Sequence, residues 1–156
     1  MKTKLIILAL IAATFGIYAL VTIDRRSDDA KIRSLVQSTT TAIEKRNFSG
    51  AVACISQDYK DQYGLNYDRL RMLIAQILRD ERSYTAKAKI TRLEVDGDSA
   101  KLNVDLSVNG EGNSNIAYSR NIYVILKKED AKHLLFIPVK TWRVVSADNL
   151  GLELEY

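Results

Sequence analysis

Few side chains in this sequence have the type and spacing that chemistry requires. The 156-residue chain contains one cysteine, Cys54, and one histidine, His133. A single cysteine excludes an intramolecular disulfide and a cysteine-based zinc site, and a single histidine excludes the usual histidine-rich metal clusters. We therefore expect no metal site, and nothing in the sequence requires a cofactor.

Aromatic side chains are the next group that could form a site. Small-ligand sites often have aromatic walls with a few polar tips, so these residues could line the mouth of a pocket. The alternative is packing, with Tyr67 and Trp142 in the core and the other aromatics at the surface. The set comprises Tyr59, Tyr63, Tyr67, Tyr118, Tyr123 and Trp142.

The alternating stretch Ser99–Val108 indicates which carboxylates could enter a core. Apolar and polar residues alternate along it, which predicts a strand with one buried face and places Asp105 on the outer face. The Asp96–Asp98 turn contains an Asp-Gly pair, which predicts a tight hairpin with Thr85–Val95. A change of parity near Thr91 predicts a β-bulge that would bend the sheet.

Two more strands are predicted downstream, over Ser119–Lys128 and Leu134–Ser146. Glu111–Ala117 and Lys127–Lys132 have the composition of hairpin loops. Pro138 cannot donate a ladder hydrogen bond, so the last strand begins after it, bulges at it or lies at an edge. In strand Ser119–Lys128 the inward positions are aliphatic, and we expect no carboxylate from either central strand to point into the core.

Three helices are predicted upstream of the strands. Ser27 caps a first amphipathic helix that runs to about Arg46, and Asn47 caps a short second helix that ends near Ser56. Asn66 caps a third helix with apolar residues at helical spacing. The predicted fold class is α+β, with three N-terminal helices packed on a bent four-stranded antiparallel sheet.

The N-terminus predicts an apolar helix of its own. Leu5–Ile23 carries no charge, and at about 1.5 Å per residue it would extend about 28 Å, close to the thickness of the bilayer core. A cleaved signal peptide is the alternative, since Lys2 and Lys4 form a short positive start. We expect residues 1–26 to be an uncleaved anchor and residues 27–156 to be the folded domain, located outside the cytoplasm.

Two stretches of the sequence resemble the nuclear transport factor 2-like superfamily. The run Ile43–Asp61 is similar to the helix–turn–helix opening of that superfamily, and Lys140–Ser146 is similar to its last strand. The resemblance covers about Ala30 to Ser146. It implies a cone-shaped fold, often with an apolar pocket at the open end. The superfamily includes ketosteroid isomerases and polyketide cyclases as well as non-catalytic binding and assembly domains, so the fold does not decide the function.

The resemblance also implies where a catalytic acid would lie. Asp58 and Asp61 occupy the region where the superfamily often carries a pocket acid, so they are the candidates for a general base; the alternative is a turn residue and a solvated acid. An isomerase-, dehydratase- or cyclase-like enzyme would pair such a base with a tyrosine that donates to the oxyanion.

We predict a membrane-anchored, extracytoplasmic domain that acts in binding or assembly without catalysis. Superfamily members with one N-terminal membrane helix include assembly components of type IV secretion systems, which this layout resembles. The alternatives are the enzyme above or a carrier of a small apolar ligand. Expected partners are the membrane, through Leu5–Ile23, and a second copy or an envelope protein. The net charge of +4 is too small to indicate nucleic acid.

Overall fold

The computed structural model describes residues 2–79, 84–110, 117–134 and 137–151. Within these ranges, four helices precede four strands. The helices are α1 (Lys2–Thr22), α2 (Asp28–Glu44), α3 (Phe48–Val52) and α4 (Tyr67–Arg79). The strands are β1 (Tyr84–Asp96), β2 (Ser99–Gly110), β3 (Ala117–His133) and β4 (Ile137–Asp148).

The three predicted helix caps are confirmed. In each case the side-chain oxygen accepts a hydrogen bond from the backbone N–H three residues later, which satisfies a donor that the first helical turn leaves unpaired. Ser27 accepts from Ala30 at 3.3 Å, Asn47 from Gly50 at 3.1 Å and Asn66 from Arg69 at 3.0 Å. Local sequence therefore determines where α2, α3 and α4 begin.

The predicted end of α3 near Ser56 is wrong, because the helix ends at Val52. Beyond it the backbone pairs with the last strand: the Ser56 N–H donates to the Val144 carbonyl at 2.9 Å, and the Val144 N–H donates to the Cys54 carbonyl at 2.8 Å. A helix through Cys54 and Ser56 would lose these two hydrogen bonds to β4.

The four strands form one antiparallel sheet in the order β1-β2-β3-β4. The predicted hairpin between β1 and β2 is confirmed, with Asp96 opposite Ser99. Its turn therefore has Gly97 and Asp98 at the centre, and Gly97 alone of the two has a positive φ, +58°. Glycine at the first central position is the pattern of a type II′ turn, which matches the twist of the flanking strands. The predicted bulge is also confirmed, as a register shift between Ile90 and Arg92.

The prediction of a loop over Lys127–Lys132 is wrong, because this segment continues β3. Its charges are compatible with a strand since they have partners: Lys128 Nζ lies 2.9 Å from Asp28 Oδ2, and Arg143 Nε lies 3.7 Å from Glu129 Oε2. The last strand begins at Ile137, not at Leu134.

Pro138 lies within β4, an edge strand of the sheet, which is one of the three placements predicted for it. Residues 111–116 of the predicted loop Glu111–Ala117 lie outside the described residues, and its last residue, Ala117, begins β3.

Helices α2 to α4 and the sheet contribute the residues of an apolar core. Alternate positions of β2 are buried, and α2 packs against β1. One core cluster consists of Ile32, Ala100, Leu102, Val104, Leu126 and Trp142. A second consists of Ile55, Tyr59, Leu65, Ile122 and Ala147. The predicted inward face of β3 is confirmed: Ile122 and Leu126 are buried, and Val124 packs against both clusters.

The chain divides into two compact units. One comprises Met1–Arg26 with Asp130–Lys140, and the other comprises Ser27–Glu129 with Thr141–Tyr156. Within the first unit Thr22 Oγ1 lies 2.8 Å from His133 Nε2. His133 is half-buried at the end of β3. Among the described residues, no helix has both the length and the hydropathy needed to cross a membrane.

Candidate functional site

Asp61 is buried in the loop that joins α3 to α4, and its oxygens are occupied by that loop. Asp61 Oδ1 accepts the backbone N–H groups of Tyr63 and Leu65, both at 2.9 Å, and Asp61 Oδ2 lies 3.3 Å from the Tyr59 hydroxyl. The carboxylate is 6% exposed. This arrangement shapes the loop and turns the carboxylate away from solvent.

Tyr59 is a donor to Asp61. Burial raises the pKa of the Tyr59 hydroxyl far above its ordinary value, and the negative charge of Asp61 raises it further. The hydroxyl therefore remains protonated at physiological pH. Asp58, the other predicted acid, is exposed, and its backbone N–H donates to Ser56 Oγ at 3.0 Å. Asp58 and Asp61 thus differ in burial, and only Asp61 lies beside a tyrosine.

A cavity of about 150 Å³ lies between α2 and the inner face of the sheet. Its walls are almost entirely carbon. The lining residues are Leu35, Val36, Thr39, Thr40, Ile43, Cys54, Ala88, Leu102, Val104, Leu106, Ile122, Val124, Leu126 and Val144. Neither Asp58 nor Asp61 is among them, and none of the predicted aromatic residues is among them.

The few polar atoms at the cavity wall are satisfied by the backbone. The hydroxyls of Thr39 and Thr40 donate to carbonyls one helical turn earlier, at 2.9 and 2.6 Å. The Cys54 thiol donates to the Ala51 carbonyl at 3.4 Å. Burial raises the pKa of the Cys54 thiol, so the neutral form dominates and the thiol is a poor nucleophile.

The size and lining of this cavity restrict what it can do. Sites for drug-sized ligands have volumes of about 300–1,000 Å³, whereas an apolar cavity of about 150 Å³ accommodates a molecule such as benzene. General acid–base catalysis needs a carboxylate, imidazole or similar group within hydrogen-bond reach of the substrate. The described residues of the cavity wall include no carboxylate and no imidazole.

The aromatic residues predicted to bind a ligand are spread over separate places. Tyr63 is exposed, and Tyr123 lies opposite Asn103 on the outer-facing parity of the sheet. Tyr118 is half-buried, and its hydroxyl donates to the Leu150 carbonyl at 2.9 Å. The described residues therefore do not bring this set together around one pocket.

Trp142 belongs to the core and also contacts two charged residues, Asp28 and Lys128. Its side chain is 3% exposed, and Trp142 Nε1 donates to Asp28 Oδ1 at 3.2 Å. Lys128 Nζ donates to Asp28 Oδ2 at 2.9 Å and lies 5.0 Å from the Trp142 ring centroid. This hydrogen bond from Lys128 holds the pKa of Asp28 below its ordinary value.

The resemblance implied an apolar pocket, but the sequence did not indicate which residues line this cavity. The apolar face of α2 was predicted, but the empty volume depends on small side chains that meet from different elements, among them Cys54 and Ala88. Small residues at inward positions are the local signal, but such residues also occur in cores that close completely.

Comparison with known proteins concerns the fold. No family model matches the sequence, and no curated protein matches it significantly. Solved structures do match. A nuclear transport factor 2-like protein of unknown function from Shewanella oneidensis MR-1 has a TM-score of 0.62 at 11% identity, covering 78% of this chain and 97% of that one.

Two further structures agree with that match. A nuclear transport factor 2-like protein of unknown function from Pseudomonas putida KT2440 has a TM-score of 0.55 at 14% identity, covering 78% of this chain and 85% of that one. A protein of unknown function with a cystatin-like fold from Nostoc punctiforme has a TM-score of 0.58 at 16% identity. The match covers 77% of this chain and 87% of that one. This chain has the nuclear transport factor 2-like, cystatin-like fold. Likeness at this level of identity shows the fold alone.

Proposed function

We propose that this chain is a membrane-associated, extracytoplasmic domain that acts in binding or assembly without catalysis. The observation that carries the non-catalytic part is the lining of the cavity between α2 and the sheet, whose described residues include no carboxylate and no imidazole. Asp61 supports the same view, because its oxygens already accept hydrogen bonds from its own loop. An enzyme of the isomerase or dehydratase type would need a base that faces its substrate.

The membrane part of the proposal rests on the sequence and on the surface of α1. Large apolar side chains of α1 are between 46% and 76% exposed, and neighbours in sequence such as Leu10 and Ile11 both belong to the exposed set. A helix that is apolar on more than one face is normally covered by protein or lipid, because exposing that surface to water is unfavourable. We choose lipid from the sequence alone, because Leu5–Ile23 carries no charge; no described helix meets the length and hydropathy of a membrane span.

Fractionation of the host cell tests the membrane part. The full chain is expected to sediment with membranes, to resist an alkaline carbonate wash and to be released by detergent. A variant that lacks Leu5–Ile23 is the matched control and should appear in the supernatant. Release of the full chain by carbonate would overturn this part of the proposal. An alkaline phosphatase fused after Tyr156 should be active if the domain lies outside the cytoplasm.

Native mass spectrometry of the detergent-solubilised full chain tests the binding part. The proposal expects a homodimer or a complex with another envelope protein, and a bare monomer would contradict it. A carrier of a small apolar molecule is the second candidate, and the cavity is the observation that favours it. In that case a small-molecule adduct should be retained by the natural chain and weakened or lost in Ala88→Val, which reduces the volume of the cavity.

If the chain were an enzyme, native mass spectrometry would give a different result. Adducts on the natural chain would be converted to a product of different mass over time, and Asp61→Asn or Asp58→Asn would stop the conversion. Such a result would overturn the non-catalytic proposal. Adducts that stay unchanged in mass are expected.

A further inference from the structure

An open groove of about 610 Å³ lies along the outer side of α4, away from the residues of the cavity. We call it the arginine groove. Its lining comes from the turn after α2, from α3 and from α4: Arg46, Phe48, Asp68, Arg71, Met72, Ala75, Leu78 and Arg79. None of these residues lines the cavity between α2 and the sheet.

The floor of the arginine groove is apolar. Leu78 is buried in a small core cluster with Ala42 and Ala51, and Phe48 packs against that cluster while still reaching the groove. Met72 stands at the groove with 70% of its side chain exposed. Aromatic residues, methionine and arginine are enriched at protein interfaces, so this combination is typical of a surface that binds another chain.

The described lining residues of the groove carry an excess of positive charge. Three arginines face one carboxylate, Asp68, and within the described parts of the chain none of the three forms an ion pair. The Arg71 guanidinium lies 5.5 Å from the Phe48 ring centroid. Stacking on the ring restricts the motion of this guanidinium and leaves its N–H donors free for an anion.

Arg46 occupies a position where the backbone favours glycine. The Asn47 N–H donates to the Ala42 carbonyl at 2.8 Å and the Arg46 N–H donates to the Ile43 carbonyl at 3.0 Å, the two bonds of a Schellman motif. Arg46 has a φ of +55°, in the left-handed region that is unfavourable for residues with a Cβ. An arginine here costs backbone energy that glycine would avoid, yet it adds a guanidinium to the groove.

The spacing of the arginines distinguishes between possible anions. Arg71 and Arg79 are eight positions apart on α4, which places their backbones about 12 Å apart along the helix axis. One carboxylate or phosphate is too small to bind both ends of that span. A peptide with several carboxylates can, since about four extended residues cover the same distance.

We propose that the arginine groove docks an acidic segment of a partner protein. Carboxylates of the segment bind Arg46, Arg71 and Arg79, and an apolar side chain between them packs on Phe48 and Leu78. This inference rests on the proposed binding role but uses none of the cavity residues. A failed peptide assay together with intact membrane association would therefore overturn the groove proposal alone.

A fluorescein-labelled synthetic peptide of alternating glutamate and leucine is the probe, and the full chain in neutral detergent is the receptor. Fluorescence anisotropy should show saturable binding that weakens as salt is raised. Arg71→Glu and Arg79→Glu should each weaken binding at least about tenfold, as expected for the loss of a charge-assisted hydrogen bond. Lys101→Glu, the same change of charge on an exposed position of β2, should change binding less than about twofold.

Arg46→Gly separates a binding role from a structural one. Because glycine relieves the positive φ, its melting temperature should equal or exceed that of the natural chain, while its affinity for the peptide falls. Equal losses in Lys101→Glu and Arg71→Glu would overturn the proposal by showing unspecific attraction. So would equal binding of a lysine–leucine peptide, or arginine-dependent binding of anionic phosphatidylglycerol vesicles in place of the peptide.

Discussion

The hydrogen bonds that the Asp61 carboxylate accepts stabilise its own loop. Two backbone N–H groups and one phenol converge on a carboxylate that is almost fully buried. Removing an acceptor from buried donors costs more than the hydrogen bonds themselves contribute, because the donors lose water as well as their partner. The loop from Tyr59 to Leu65 therefore depends on this side chain.

Asp61→Ala should lower the free energy of unfolding by about 3 kcal/mol, because three donors lose their acceptor. Asp61→Asn keeps one carbonyl oxygen and should cost about 1 kcal/mol. Urea denaturation measures both. Asp58→Ala is the control and should change stability by less than about 0.5 kcal/mol, since this residue is exposed. A stable Asp61→Ala variant would contradict the structural role and make Asp61 a candidate functional acid again.

The Asp28 carboxylate makes the free energy of unfolding depend on pH in the acidic range. Its pKa is lowered mainly by the hydrogen bond from Lys128, so the folded chain binds this proton more weakly than the unfolded chain does. A lowered carboxyl pKa contributes stability that is present above about pH 4 and is lost as the pH falls through the folded-state pKa. The raised pKa of Lys128 has the opposite sign, and its contribution is lost only in strongly alkaline solution.

Asp28→Asn should flatten the acid side of the stability profile. Urea unfolding between about pH 2 and pH 6 should show a shallower fall of unfolding free energy with acid in this variant than in the natural chain. An unchanged slope in Asp28→Asn would show that the contact with Lys128 does not affect folding.

At the scale of elements, the β1–β2 hairpin depends on one backbone conformation. Gly97 has a φ of +58° and a Cβ placed there would meet open space, so a substitution tests backbone strain without a clash. The sequence predicted this turn because glycine beside aspartate is typical of two-residue hairpins. The register of the two strands shows that Gly97 and Asp98 are the first and second central residues of the turn. The Asp-Gly dipeptide alone did not decide which residues are central.

Gly97→Ala should lower the free energy of unfolding by about 1 kcal/mol, because alanine is unfavourable at positive φ. Arg46→Gly is the reverse kind of change, since it introduces glycine at a positive φ. It should raise the free energy of unfolding by up to about 1 kcal/mol. Differential scanning calorimetry on both variants measures the two signs. A Gly97→Ala variant as stable as the natural chain would indicate that the turn changes type.

At the scale of the whole molecule, packing between α2 and the sheet leaves a volume that the side chains do not fill. The cavity of about 150 Å³ has walls from one helix, all four strands and the segment after α3. An apolar cavity of this size forfeits packing contacts at its walls. Filling it should stabilise the fold, unless a ligand already occupies it.

Ala88→Val adds two carbon groups at the cavity wall and should raise the free energy of unfolding by about 1.6 kcal/mol, because each buried group contributes about 0.8 kcal/mol. Ala147→Val makes the same change in a packed cluster and should destabilise by about 1–3 kcal/mol through overpacking. Thermal unfolding of both variants is the measurement. Destabilisation by Ala88→Val would indicate an occupied or closed cavity.

Local patterns in the sequence were sufficient for most elements. Helix caps at Ser27, Asn47 and Asn66, alternation along Ser99–Val108 and the bulge near Thr91 all depend on neighbours within a few residues, so the sequence alone predicts them. The charged segment Lys127–Lys132 has the composition of a loop but forms a strand. The sequence pattern did not show this, because the ion-pair partners of the segment lie elsewhere in the chain.

The candidate site depended on tertiary structure. Asp58 and Asp61 are close together in the sequence, which does not tell which of them is buried, because burial follows from how the whole loop packs. The sequence by itself determined the α+β order of elements, the caps, the hairpin and the inward face of the central strands. Only the tertiary structure decided the cavity without a base and the groove with three arginines, since both form where elements distant in sequence meet and side-chain volumes add up.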